Sequence, residues 1–171
     1  NIQEALLEDG SVLFEEQINL LKAEFKEPYF YNSLLSAIAS GASTLNEIAT
    51  KVQEDTSKVG KYLESLRKVH IVERILPYGE KEKSRKGIYT ICDNYFAFWF
   101  HYIFGHEGQI QFMGPQAYAN KIMETLDIFL GHVFEKTCEQ YIQKLAQKGK
   151  LPFVPNGIGR WWGNNPIKKK G

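Results

Sequence analysis

Cysteine is scarce in this chain, and acid is missing from its C-terminal end. The 171 residues hold two cysteines, Cys92 and Cys138, far apart and each without another nearby. That excludes a disulfide scaffold and points to free thiols in a reducing compartment. A structural zinc takes four ligands, usually in close pairs. His70, His101, His106 and His132 do not pair with the cysteines in that way, and no metal is expected. No long hydrophobic run is present either. The most apolar stretch, Tyr95 to Phe104, has about half the roughly twenty residues that a membrane helix requires, and it contains His101. No secretory signal with a charged head and small-residue cleavage site occurs, so a cytoplasmic, membrane-free protein is the expectation. Low-complexity segments and internal repeats are absent, and no G-x-x-x-x-G-K-[ST] phosphate loop occurs. The first residue is Asn1 rather than Met, which suggests a piece of something longer.

What the chain does contain is a change of period. Thr44-Leu45-Asn46-Glu47 is a capping box, in which the Thr44 hydroxyl accepts from the Glu47 amide and the Glu47 carboxylate reaches back to the Thr44 amide. A short helix follows with Leu45, Ile48, Ala49 and Val52 on one face. Asp55-Thr56-Ser57 supplies cap residues for a second helix, whose inward stripe is Val59, Tyr62, Leu63 and Leu66. Ile71 to Leu76 and Gly87 to Ile91 are then rich in β-branched and aromatic residues, as strands are. Between them lies a turn with a charged loop, Pro77 to Lys86. Preceded by a helix over about 29 to 40, this is the order of a winged helix-turn-helix, a shape that often sits on duplex DNA.

Charge follows that order. After Glu139 there is no Asp or Glu, and Lys144, Lys148, Lys150, Arg160, Lys168, Lys169 and Lys170 give the segment +7. Residues 56 to 86 hold nine basic and four acidic residues, whereas residues 1 to 27 hold two basic and seven acidic. A polyanion would be drawn to the second helix, the wing and the tail, releasing counterions on binding. The candidate DNA contacts are Thr56, Ser57, Lys58 and Lys61 on the helix, with Lys81, Lys83, Arg85 and Lys86 on the wing. The ordinary alternative is that these cations only solvate a helix face, and Glu80 and Glu82 dilute the wing.

Elsewhere the pattern is helical. Residues 1 to 26 read as two helical pieces broken at Asp9-Gly10. Asp93-Asn94 starts a helix, Tyr95 to Phe104, that is aromatic almost all round and must be covered on several sides, by its own chain or by a second subunit. Phe96, Trp99 and Phe100 are the candidate interface residues in the second case. Gly105 to Gly114 reads as a loop. Gln116 to Gln147 reads as one or two helices with Gly131 as a potential break, and an extended stretch around Ile158 to Gly163 closes the sequence.

Taken together, the chain resembles the C-terminal region of archaeal-type AAA ATPases, which also occur in bacteria. The matching residues are Leu13-Phe14-Glu15-Glu16, Glu27-Pro28-Tyr29, Ile38-Ala39-Ser40-Gly41, Glu47-Ile48-Ala49, Val59-Gly60-Lys61-Tyr62-Leu63, Val72-Glu73-Arg74, Ser84 to Tyr89, Asp93 to Phe100, Phe134 to Cys138 and Ile158 to Gly163. The resemblance implies a helical lead-in at 1–27 (the exit of an absent ATPase lid) and a winged helix-turn-helix at 28–93. It implies an aromatic helix and a truncated, restriction-endonuclease-like region at 94–171. The expected fold is thus mostly α with a small β-hairpin, ending in helices of an incomplete nuclease-like α/β domain. ATP and Mg²⁺ belong to the absent parts of such a parent, and no cofactor is expected here. Of a nuclease's carboxylates only Glu135 matches, and one acid cannot assemble the cluster that holds Mg²⁺.

Three functions follow. The first is a non-catalytic module that binds duplex DNA for a neighbouring ATPase domain. The second is a protein-interaction module that docks that ATPase domain or forms a homodimer. The third and weakest is a remnant metal-dependent nuclease using Glu135. His101 and His106 lack a partner carboxylate at a convincing spacing and are expected to be structural. Ser84 is expected to cap the wing or touch phosphate, and Arg160-Trp161-Trp162 to form either a buried strand-edge pair or a cation–π cluster for a base.

Overall fold

Local signals set the element starts. The computed structural model describes residues 27–162 together with Leu21 and Phe25. The lead-in helices expected over 1 to 26 and the tail lysines lie outside the described residues, apart from Leu21 and Phe25. Helix α1, Pro28–Ala39, opens with proline in its first turn, where the missing amide costs nothing. It turns Leu34, Leu35 and Ile38 inward and ends before Gly41, whose φ of 100° suits glycine. Helix α2, Leu45–Val52, carries the full capping box, with Thr44 N–H donating to Glu47 at 2.9 Å. Gln53, at φ 57°, turns the chain into helix α3, Thr56–Lys68, whose cap is Asp55, accepting from Lys58 N–H at 2.9 Å.

Strands β1, Val72–Ile75, and β2, Ile88–Ile91, pair antiparallel with Val72 opposite Ile91 and Ile75 opposite Ile88. Val72 and Ile91 enter the core. The β2 edge is tied to the turn between α1 and α2, because Tyr89 N–H donates to the Ser43 carbonyl at 2.7 Å.

Helix α4, Asn94–Tyr102, is capped by Asp93, which accepts from Phe96 N–H at 2.7 Å. It is the aromatic helix, and the chain itself covers it: α4 packs on α1, β2 and the last helix. Phe96, Trp99 and Phe100 are buried, Trp99 completely. The three residues expected to face a second copy are thus covered by the chain itself, because α4 sits in its core.

Two further expectations change. The stretch between Gly105 and Gly114 holds helix α5, Glu107–Met113, rather than a loop. Both glycines sit at positive φ, 78° and 80°, so they punctuate a short helix that buries Ile110. Helix α6, Pro115–Gln147, then runs 33 residues without a break at Gly131, where an added Cβ would meet nothing within 4 Å. At 1.5 Å per residue it is about 50 Å long. It buries Tyr118, Ala119 and Ile122 near its start and packs Leu126 and Phe129 on the core. Ile128, Phe134 and Tyr141 remain exposed further along. The fold is mostly helical with one small antiparallel hairpin, and among the described residues from 94 onward there is no strand.

Candidate nucleic-acid interface and the groove behind the hairpin

The cations of α3 are not equivalent. Lys58 Nζ lies 2.5 Å from Glu54 and 4.6 Å above the Phe30 ring centroid. Its hydrogen bond to Glu54 raises its pKa above the ordinary lysine value, and nearby acids add to this. Lys58 is thus committed to its own chain. Glu54 and the cap Asp55 also place negative charge at the start of α3, beside an open cavity of about 570 Å³ that they line with Thr50, Gln53 and Thr56. Thr56, Ser57 and Lys61 are exposed. The outward cationic edge of the helix therefore begins one turn later than its spacing suggests.

The hairpin loop is held from within. Arg74 donates through Nη1 to the Glu82 carbonyl at 2.9 Å and through Nη2 to the Ser84 carbonyl. Gly87 permits this, because a Cβ there would stand 2.5 Å from the Arg74 guanidinium. Ser84 caps the loop by accepting from Lys86 N–H at 3.2 Å. Lys86 Nζ pairs with Glu80 at 2.5 Å, and this hydrogen bond, with a second from Ser84, holds the Glu80 carboxyl below its ordinary pKa. Lys81, Lys83 and Arg85 are exposed on the same loop.

The segment around Arg160-Trp161-Trp162 completes this region, with partners that sequence reasoning did not foresee. Tyr78 N–H donates to the Arg160 carbonyl at 2.7 Å, and Trp162 Nε1 donates to the Lys86 carbonyl at 3.0 Å. Arg160 is bound in turn to α6, donating to both oxygens of Glu135 at 3.0 and 2.7 Å. The Tyr78 ring packs against Gly157 and Gly159, where a Cβ would come within 2.9 and 3.0 Å of it. The buried strand-edge pair foreseen for Arg160-Trp161-Trp162 is not what forms, since the guanidinium meets a carboxylate, the Trp162 indole meets a backbone carbonyl and Trp161 is exposed. The only sequence signal was the cluster itself, because its partners lie far away along the chain.

Between the outer face of the hairpin and α6 runs a groove of about 1020 Å³, lined by Glu73, Ile75, Ile88, His101, Phe129 and Lys136 among others. Lys136 bridges it, reaching Glu73 at 3.4 Å and the Cys92 carbonyl at 3.2 Å. His101 Nδ1 stands 2.6 Å from the Ala39 carbonyl. A carbonyl can only accept, so that nitrogen carries the proton and Nε2 is left as an acceptor in the neutral ring. Burial raises the Cys92 thiol pKa above its ordinary value. Both cysteines are free, and among the described residues no group of three or more His, Cys, Asp and Glu side chains converges to hold a metal. Glu135, the candidate nuclease carboxylate, is occupied by Arg160. Among the described residues, no helix is long and apolar enough to cross a membrane.

Residues 99–170 match a family model, DUF234, described as archaeal and bacterial proteins of unknown function. The chain is also similar to an uncharacterized protein of Methanocaldococcus jannaschii, 40% identical over 143 residues, which is 84% of this chain and 32% of that protein. It therefore spans about a third of the length of that curated relative. No solved structure matches.

Proposed function

We propose that residues 28–93 are a winged helix that binds duplex DNA, and that the chain is a non-catalytic part of a larger protein that positions a neighbouring ATPase domain. The Ser43–Tyr89 backbone bond supports the winged-helix reading, since it ties the segment before α2 to the edge of the hairpin. The single observation that carries the DNA reading is the exposure of Lys61 on α3 and of Lys81, Lys83 and Arg85 on a loop that Arg74 holds from within. On this reading Lys61 and the hydroxyls of Thr56 and Ser57 meet one stretch of backbone, and the loop cations meet flanking phosphates. Four such contacts would give log K a slope of about −3.6 against log salt. Anisotropy titration of a labelled duplex at several salt concentrations tests this. Steep, salt-sensitive binding is expected, and no retained duplex even at low salt would overturn it. The pairing of Glu135 with Arg160 supports the non-catalytic reading.

A second reading, a protein-docking module, is favoured by the exposed Ile128, Phe134 and Tyr141 of distal α6. Sedimentation of the chain with and without Phe134→Ser tests it. A concentration-dependent shift that the substitution removes would favour docking.

A further inference from the structure

We propose that Trp161 is a base-stacking residue, and that the ligand this surface takes is a duplex carrying an unpaired nucleotide; this rests on the DNA-binding reading above. The residues on either side of Trp161 are both anchored. Arg160 is held by its side chain on Glu135 and by its carbonyl on Tyr78, and Trp162 is held by its indole on Lys86. Trp161 between them stands 68% exposed. Large indoles are usually well covered, so one left open on a fixed backbone is unusual. Gly157 and Gly159 let the Tyr78 ring lie close against this segment, since a Cβ there would come within 2.9 and 3.0 Å of it.

The loop that receives this segment, Tyr78 to Lys86, is the one that exposes Lys81, Lys83 and Arg85. An aromatic face carried beside backbone-binding cations is the arrangement that recognises single-stranded nucleic acid. Inside a duplex both faces of every base are stacked, and a blunt end frees only the outer face of its terminal pair, so an indole gains most where a base is unpaired and can settle onto it. The loop cations would hold phosphates at the end of the paired region while Trp161 stacks on the first base beyond it. Because the backbone on both sides of the indole is anchored, less ordering entropy opposes that contact than on a free chain.

The test compares three labelled DNAs by anisotropy: a blunt duplex, the same duplex with a single-stranded overhang, and the single strand alone. The overhang duplex should bind about tenfold more tightly than the blunt one, the scale of one stacked base. Trp161→Ala should remove that preference and leave the blunt-duplex affinity unchanged, and Trp161→Phe should keep part of it. Gly159→Val, which drives a side chain into the Tyr78 ring and frees the segment, should remove the preference while Trp161 is still present. Equal binding of blunt and overhang duplexes by the wild type, or a preference that survives Trp161→Ala, would overturn the proposal while leaving duplex binding intact. Failure of all three DNAs to bind would instead overturn the DNA-binding reading itself, and the proposal with it.

Discussion

Arg160 holds both oxygens of Glu135 in a two-bond ion pair, 3.0 and 2.7 Å, across 25 residues of sequence. The pair joins the C-terminal segment to the middle of α6, and through the Arg160 carbonyl it reaches the hairpin loop. One acid that resembled a nuclease remnant is thereby a fastener. Both side chains are partly exposed, so water and salt weaken the attraction. A double-mutant cycle with Glu135→Ala and Arg160→Ala, read by thermal melting, should give a coupling of about 0.2–1 kcal/mol, the range for exposed pairs. Mg²⁺ should leave the melting temperature of both wild type and Glu135→Ala unchanged. A Mg²⁺-dependent rise lost in the variant would restore the metal-site reading.

Lys58 and Lys61 should separate cleanly under mutation. Lys58→Ala removes an ion pair with Glu54 and a cation over Phe30, so its main effect is a small drop in Tm. Lys61→Ala removes an exposed charge, so Tm holds while duplex affinity falls and the salt slope shrinks by about 0.9. Paired melting and anisotropy measurements check this. A larger loss of DNA affinity from Lys58→Ala than from Lys61→Ala would reverse the assignment.

The capping box makes a pH-dependent contribution. Backbone hydrogen bonds from Thr44 and Ser43 lower the Glu47 pKa from 4.5 to about 2. A depressed carboxyl pKa stabilises the fold above the unfolded value, and the contribution is lost as pH falls from about 4.5 towards 2. Chemical denaturation across that window should show Glu47→Gln with a flatter acid limb than wild type. Thr44→Ala, at neutral pH, should cost about 1 kcal/mol through the lost cap. An acid limb identical in wild type and Glu47→Gln would refute the linkage.

Trp99 tests whether the aromatic helix serves the monomer. It is fully buried and stacks edge-on against Phe100, with centroids 5.0 Å apart. Trp99→Ala should destabilise the chain by about 3–5 kcal/mol, as deletion of a core aromatic does. Light scattering of the folded wild type should show no mass change attributable to α4. An association that Trp99→Ala abolishes at unchanged stability would contradict the core assignment.

What the sequence by itself determined is where elements begin and which stripe turns inward. Thr44 with Glu47, Asp55 and Asp93 all act within three residues of themselves, and Val59, Leu63 and Leu66 repeat within one helix, so such signals survive without any knowledge of the fold. The mostly helical character and the hairpin at Val72–Ile75 and Ile88–Ile91 follow from that short range. Glycine misled in both directions, because its effect depends on φ: at Gly105 and Gly114 it bounds a helix, and at Gly131 it sits inside one. Tertiary structure alone decided which charges stay outward. Glu135 meets Arg160 25 residues away, Lys136 meets Glu73 63 residues away, and Trp162 meets Lys86 76 residues away. Lys58 found Glu54 at a local spacing but Phe30 only once α1 and α3 had come together. No local pattern encodes such pairings, since each exists only after the chain has closed and brought its distant parts within a few ångströms.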